Sequence, residues 1–280
     1  MSKFTKMHGT GNDFVLVDGI TNNIDLNKLQ AASKNICDRH FGIGADGVIA
    51  VLSSNNSDLQ MRIFNADGSE AEMCGNGLRC FSFFAFHSKL ITNKTFTVET
   101  LAGQMIPEII ESNSNQAQVK INMGKPFLLA KDIPVEHNRS DLLNIPLQIN
   151  NLNLKITPIG MGNPHAVIFV DNLNDFPVCE IGPLLEKHPL FPNKTNVEFV
   201  EVITQHEAKM RVWERGSGET LSCGTGTCAS VVAGNLLNKL SEKVTVHLLG
   251  GDLSIEWKNK ESIYMTGAAN IVFEGQIQFS

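Results

Sequence analysis

Along this chain, apolar residues fall into short β-branched or aromatic blocks more often than they recur at helical spacing. The blocks "FVLVD", "VIAVL", "LQMRIF", "FTVET", "VKINM", "HAVIFV", "VEFVEVI", "AKMRVWE", "KVTVHLL", "LSIEW" and "NIVFEG" are bounded by turn formers and predict strands. Helical spacing is rarer. Asp25 is the predicted N-cap of "LNKLQAASKNICD", in which Leu26, Leu29, Ile36 and Cys37 share a face. Two further helices are predicted after glycine-rich turns. "LRCFSFFAFHSKL" carries Phe81, Phe83, Phe84 and Phe86 around its circumference, and "TCASVVAGNLL" is small and apolar on all sides. A helix without a polar face must be buried, so the pattern predicts an α+β chain in which strands wrap around central helices.

The two buried helices belong to a repeat. Without gaps, Met61–Gly77 aligns with Met210–Gly226 at an offset of 149, matching at Met, Arg, Glu, Cys and two glycines. A second landmark, "GTGNDFVLVD", returns as "GMGNPHAVIFVD", from Asn12 to Asn163 at an offset of 151. Solenoid repeats are roughly 20–50 residues long, so this spacing implies two homologous, pseudo-symmetric domains, each a mixed sheet around one central helix. The polar stretch "ESNSNQAQ" (Glu111–Gln118) is the expected boundary, dividing the chain into residues 1–117 and 118–267, and "HNRSD" (His137–Asp141) is expected to be a loop of the second domain.

Composition narrows the function. The 280 residues, with 23 basic and 29 acidic side chains and net charge −6, carry no dense basic block, which argues against a nucleic-acid partner. The first residues lack an apolar signal region and no run approaches the ~18 apolar residues of a membrane span, so a soluble, cytoplasmic protein without a membrane partner is expected. Six cysteines are too sparse for a disulfide framework in a chain this long.

Two of those cysteines sit where chemistry is expected. Cys74 in "NADGSEAEMCGNGLRC" and Cys223 in "ERGSGETLSCGTGTCA" each precede a Gly-x-Gly turn opening a buried helix. Unpaired N–H groups and the helix dipole favour an anion there, which lowers a thiol's pKa and makes a carboxylate cradle of Gly75-Asn76 and Gly224-Thr225. A duplicated thiol suits a nearly symmetric reaction, removal of a proton from one face of a carbon and return of one to the other, as in racemisation or epimerisation.

At these residues the sequence resembles the diaminopimelate epimerase family. "KMHGTGNDF", "NADGSEAEMCGNGLRC", "GNPHAV", "TNVEF" and "ERGSGETLSCGTGTCAS" occur in the family's order over essentially the whole chain. The resemblance implies Cys74 and Cys223 as catalytic bases and a reacting carboxylate on the backbone of Gly75, Asn76, Gly224 and Thr225. Asn12, Asn65, Asn163, Asn196, Glu214 and Arg215 would hold the distal end of a small amino-acid substrate. It further implies no cofactor and no metal, a homodimer, a last strand near Ile271–Phe279 (residues 268–280) returning to the first domain, and an active site in the cleft between the halves. Gly47 stands where some members carry a glutamine at the substrate rim. The chemistry agrees: Arg215 offers a planar fork for a carboxylate, Glu214 and the asparagine oxygens accept from an ammonium, and fixed dipoles take the place of a cofactor electron sink.

Other readings were weighed. A small apolar filler fits Cys37, Cys179, Cys80 and Cys228, but does not require the duplicated glycines at Cys74 and Cys223. The spacings Cys74/Cys80 and Cys223/Cys228 are unlike paired zinc knuckles, which counts against a metal-binding or thiol redox module. "GIGADG" matches a dinucleotide fingerprint but follows a helix and precedes a strand, the reverse of the required order. A proline or hydroxyproline racemase of the same fold lacks a use for Glu214 and Arg215, because proline has no second charged end. His8 and His165, beside the Gly-x-Gly-Asn turns, are consistent with backbone hydrogen bonding alone.

Overall fold

The computed structural model describes residues 2–22, 24–137 and 142–277. Its contacts divide into two compact units, Met1–Asn122 with Thr266–Ser280, and Met123–Met265.

In the first unit, β1 (Ser2–Gly9) and β2 (Asn12–Asp18) form an antiparallel hairpin whose two-residue turn holds Thr10 at φ 51° and Gly11 at φ 84°. Helix α1 (Leu26–Cys37) starts at Asp25, whose carboxylate accepts from the N–H groups of Asn27 and Lys28, as the sequence predicts. Strand β3 (Gly47–Leu52) then joins β2 in parallel, β4 (Leu59–Asn65) runs antiparallel to β3, and β5 (Glu70–Ala71) folds back on β4. Helix α2 (Gly75–His87) follows, then β6 (Val98–Thr100), parallel to β4, with β7 (Gly103–Met105) antiparallel to it. A final hairpin joins β8 (Pro107–Ser112) to β9 (Gln116–Asn122).

The second unit opens with β10 (Ile145–Ile149), antiparallel to β11 (Leu152–Gly160), and then repeats the first unit's pairings. Strand β11 pairs antiparallel with β12 (Pro164–Phe169), and after α3 (Val178–Glu186) comes β13 (Asn196–Thr204), parallel to β12. Antiparallel β14 (Glu207–Glu214) and β15 (Gly218–Thr220) precede α4 (Gly224–Leu236), and β16 (Lys243–Leu248) lies parallel to β14 with β17 (Gly251–Trp257) antiparallel to it. The last strand, β18 (Ile263–Ile277), pairs its residues 270–277 antiparallel with β1.

The residues shared by the two repeats do the same work in each. Arg62 pairs with Glu70 across β4 and β5, and Arg211 pairs with Glu219 across β14 and β15, so the Arg and Glu repeated in both halves close each hairpin ahead of its helix. Met61 and Met210 are buried in their cores. Helix α2 is buried from Gly75 to Ala85 among β1, β2, β8 and β9, and α4 is buried from Gly224 to Gly234 except at Thr225, among β11, β12, β13 and β17. Each fully buried ring, such as Phe81, contributes about 2–3 kcal/mol by leaving water. Strands β2 and β3 are covered on both faces, because α1 packs Leu29 and Ile36 against Val15, Val17, Val48 and Ala50. Their apolar runs are therefore continuous rather than alternating. The chain has the α+β fold of two repeated units, each a mixed sheet around a central helix.

Several details depart from the sequence reading. "ESNSNQAQ" is the turn of the β8–β9 hairpin and not a linker; the division placed at residue 117 falls inside β9, and the contacts divide the chain after Asn122. Helix α3 went unpredicted because it is short and carries Pro183, and β1 because Lys3 and Lys6 break its apolar pattern. Lys6 is nonetheless buried, its ammonium 2.6 Å from Asp13 and bonded to the Gly44 carbonyl. Cys179 is exposed, not core filler, and its thiol donates to Glu219 at 3.1 Å. Residues 138–141 of the expected "HNRSD" loop, and 278–279 of the expected last strand, lie outside the described residues. Among the described residues no helix is long and apolar enough to cross a membrane.

One surface cluster in the second unit gives a pH dependence. His247 on β16 bridges Asp252 of β17 and Glu207 of β14, each at 2.8 Å, and these carboxylates raise its pKa. A raised folded pKa means that the contribution to stability is full below the unfolded value of about 6.5 and is lost as pH rises through the folded value. His247→Gln is therefore expected to lower the melting temperature at pH 6 and to leave it nearly unchanged at pH 9. Equal losses at both pH values would show that only packing had been removed.

Candidate active site

Each unit presents a cysteine as the N-cap of its central helix. Cys74 (φ −140°, ψ 120°) accepts from the Gly77 N–H at 3.4 Å, and Cys223 (φ −130°, ψ 111°) accepts from Gly226 N–H at 3.4 Å. Sulfur thus takes the position usually held by a Ser or Asp oxygen, at the positive end of the helix dipole. The second glycine of each motif is there for space. A Cβ on Gly77 would sit 3.1 Å from Ile49 Cδ1, and one on Gly226 would sit 2.5 Å from Glu198 Oε1.

In the first unit, the Cys74 thiol donates to Asn12 Oδ1 at 3.5 Å. Asn12 is held by both ends of its amide: Nδ2 donates to Asp46 at 2.6 Å, and Oδ1 also accepts from Asn76 Nδ2 at 3.3 Å. Asn76 is oriented in turn by Arg79, whose Nη1 donates to Asn76 Oδ1 at 2.9 Å. Arg79 is fully buried, and its remaining donors reach Thr10 Oγ1 at 3.0 Å and the Ala268 carbonyl at 3.2 Å. Behind Asn12, Asp46 and Asp13 share Arg39. Burial raises the Asp13 pKa, but hydrogen bonds from Arg39 and Lys6 outweigh it and hold the carboxyl at about 2. Burial lowers the pKa of His8, whose Nδ1 accepts from the Gly11 N–H. Asn65 ends β4 with its amide on Ser69 Oγ at 2.9 Å, so the structure does not join it to the Cys74 network.

In the second unit, Cys223 is buried and its sulfur is 3.5 Å from Thr225 Oγ1. Thr225 accepts from Asn163 Nδ2 at 3.4 Å, and Asn163 Oδ1 is 2.9 Å from His165 Nε2. Asn196 Oδ1 accepts from the Arg215 N–H at 2.9 Å while its Nδ2 donates to the Pro164 carbonyl at 3.1 Å. Glu214 accepts from Thr220 Oγ1 at 2.5 Å, and the exposed Arg215 side chain donates to the Asn193 carbonyl at 3.2 Å. Glu214 is therefore held by Thr220, and the exposed guanidinium of Arg215 is anchored through one nitrogen to the Asn193 carbonyl.

The sequence predicts a lowered pKa for both thiols. For Cys223 the direction is opposite: burial first, then the acidic side chains facing it, Glu214 foremost, push its thiol well above the ordinary value, and the bonds to Thr225 and Gly226 only partly offset them. Desolvation of a fully buried sulfur outweighs the helix dipole. Four polar residues escaped the sequence reading: Thr10, Asp46, Arg79 and Glu198. Their signal was an Arg on an otherwise apolar buried helix and a carboxylate inside the apolar block "VEFVEVI". Among the described residues no three His, Cys, Asp or Glu side chains gather to hold a metal ion.

Two repeated units, each a mixed sheet around a central helix capped by a cysteine, define the fold class. Solved structures share the fold: a phenazine biosynthesis protein of the PhzF family from Bacillus anthracis (18% identity, TM-score 0.73, 99% of both chains covered) and a hydroxyproline epimerase from Agrobacterium vitis (14%, TM-score 0.69, 99% of this chain and 92% of that one). Within that class the sequence decides. Residues 4–129 and 157–272 match the diaminopimelate epimerase family, and the chain belongs to it. It is similar to the diaminopimelate epimerase of Halothermothrix orenii (51% identical over 279 residues, 98% of this chain and 97% of that protein) and to that of Methanococcus maripaludis (49% over 276 residues, 98% and 99%).

Proposed function

We propose that this protein epimerises LL-2,6-diaminopimelate to meso-2,6-diaminopimelate without a cofactor, serving lysine and peptidoglycan precursor synthesis, with Cys74 and Cys223 as its two bases. One thiol removes the α-proton and the other returns a proton to the opposite face of the carbon. The observation that carries the reading is the duplicated N-cap cysteine, in a chain about half identical over its full length to proteins named for this reaction.

The resemblance assigns the roles, and local chemistry supports them. Helix N-termini favour the α-carboxylate on the backbone of Gly75, Asn76, Gly224 and Thr225, where preorganised dipoles take up the charge that develops as the proton leaves. Asn12 accepts from the Cys74 thiol, so it aims the S–H as well as contacting substrate. The exposed Arg215 fork suits the distal carboxylate, and Glu214, Asn65, Asn163 and Asn196 suit the ammonium beside it. A raised Cys223 pKa keeps that thiol protonated near neutral pH, as a group that begins as the acid must be. The same reading places the protein in the cytoplasm.

The test is turnover of LL-diaminopimelate in deuterated water with neither pyridoxal phosphate nor metal added. Early product is expected to carry deuterium while recovered substrate stays protiated, because each face has its own base. Rapid label in recovered substrate would mean one base serving both faces, and dependence on added cofactor would remove the reading.

A further inference from the structure

Glu198 has no role in the reaction as described, yet it is fully buried in the second unit. It sits in β13 between Val167 of β12 and Val212 of β14, with its carboxyl against the first turn of α4 beside Gly226. Oε1 is 2.7 Å from His165 Nδ1, and Oε2 has no hydrogen-bond partner. The other ring nitrogen, Nε2, is 2.9 Å from Asn163 Oδ1, an atom that can only accept. Nε2 therefore carries a hydrogen. Nδ1 then either carries a second one, facing a carboxylate, or offers its lone pair to a protonated Glu198.

The unpartnered oxygen decides between these. A carboxylate with one oxygen buried and unpaired would strand charge in a low-dielectric interior, whereas the neutral acid leaves only a carbonyl lone pair unmet. Burial raises the Glu198 pKa, His165 offsets this only in part, and the nearby charge of Glu214 adds to the rise. The donors then run one way. Nε2–H holds Asn163 by its oxygen, Asn163 Nδ2 donates to Thr225 Oγ1, and the Thr225 hydroxyl hydrogen is left for Cys223 Sγ.

We propose that Glu198 is held as the neutral acid, its proton on Oε1 donated to the lone pair of His165 Nδ1, and that it is a positioning residue fixing the direction of the chain His165–Asn163–Thr225–Cys223. No proton leaves this chain during turnover; it holds Asn163 in one amide orientation and directs a hydroxyl at the sulfur, which favours the thiolate that forms once Cys223 has given its proton. Of the two acidic side chains facing Cys223, Glu214 from β14 then acts as a charge, and Glu198 from β13, held neutral, acts only through the hydrogen-bond chain. The kinetic consequence rests on the functional reading above; the protonation state does not.

Two measurements on the full chain test it. In protein with 15N-labelled histidine, His165 is expected to show a protonated Nε2 and an unprotonated Nδ1. Two protonated nitrogens, or protonation at Nδ1 alone, overturns the proposal. Glu198→Gln, whose amide N–H can donate to Nδ1 as the acid does, is expected to keep kcat, KM and the pH profile within about twofold of the starting protein. Glu198→Leu is expected to raise KM about tenfold and to move the Cys223 limb of the profile to higher pH, since the direction of the chain is lost. If the Gln variant is as impaired as the Leu variant, the neutral-acid role is wrong. If the unaltered protein fails to turn over diaminopimelate, the functional reading fails while the nitrogen spectrum still decides this one.

Discussion

Replacing either Cys74 or Cys223 by alanine is expected to lower epimerisation by about three orders of magnitude or more, since each removes one of two proton carriers and general acid–base catalysis contributes ~10²–10⁴ per group. Optical rotation or circular dichroism of the diaminopimelate pool reads the rate. The fold is expected to survive, because the sulfur caps accept one helix N–H at 3.4 Å in each case and their side-chain contacts, to Asn12 and to Thr225, are long at 3.5 Å. A neutral N-cap bond is worth about 1 kcal/mol. A single variant retaining a tenth of the starting rate would remove that cysteine from the chemistry. The same replacement at Cys80 or Cys228, buried inside the helices, is expected to leave turnover close to normal. Burial pushes the Cys80 thiol up to about 12, so it has no thiolate to contribute near neutral pH.

The next largest effect is expected at Arg79. Arg79→Met conserves much of the apolar bulk but removes the donors to Asn76, Thr10 and the Ala268 carbonyl. Hydrogen bonds from a charged group contribute ~1.5–3 kcal/mol each, part of which is offset by no longer burying a cation, so a net loss of about 3 kcal/mol is expected in denaturant unfolding. Activity is expected to fall about tenfold beyond the change in stability, because the Asn76 amide loses the donor that aims it at Asn12, and Asn12 accepts from the Cys74 thiol. Arg79→Lys is expected to recover only part of both, since one ammonium cannot span three acceptors as a planar fork does. A Met variant with unchanged unfolding midpoint and turnover would show that the first-unit network is not held from Arg79.

How far the sequence reaches is clearest in the repeated window. Cysteine, two glycines and an Arg–Glu pair recur at a fixed offset, and local physics alone turns that into two hairpins, each leading into a helix N-terminus. The apolar circumference of "LRCFSFFAFHSKL" likewise requires burial, because nothing on that helix can face water. By itself, then, the sequence determined the duplication, the α+β class, the two central helices and the cysteines at their caps. It misjudged what depends on neighbours distant in the chain. Lys6 lies in β1, which the apolar blocks left unpredicted, and is a buried cation serving Asp13, and Cys179 looked like core and is exposed. Helix α3, with Pro183 inside it, is stabilised by packing Ile181 and Leu185 into the second core rather than by its own propensity. Which way the Asn12 and Asn163 amides point, whether Cys223 has its pKa lowered by a helix dipole or raised by burial and a neighbouring carboxylate, and whether Glu198 meets a partner at both oxygens are set by groups brought together from separate strands. Pattern and propensity are local along the chain, whereas desolvation and hydrogen-bond direction are properties of the assembled interior, and only the tertiary structure decides them.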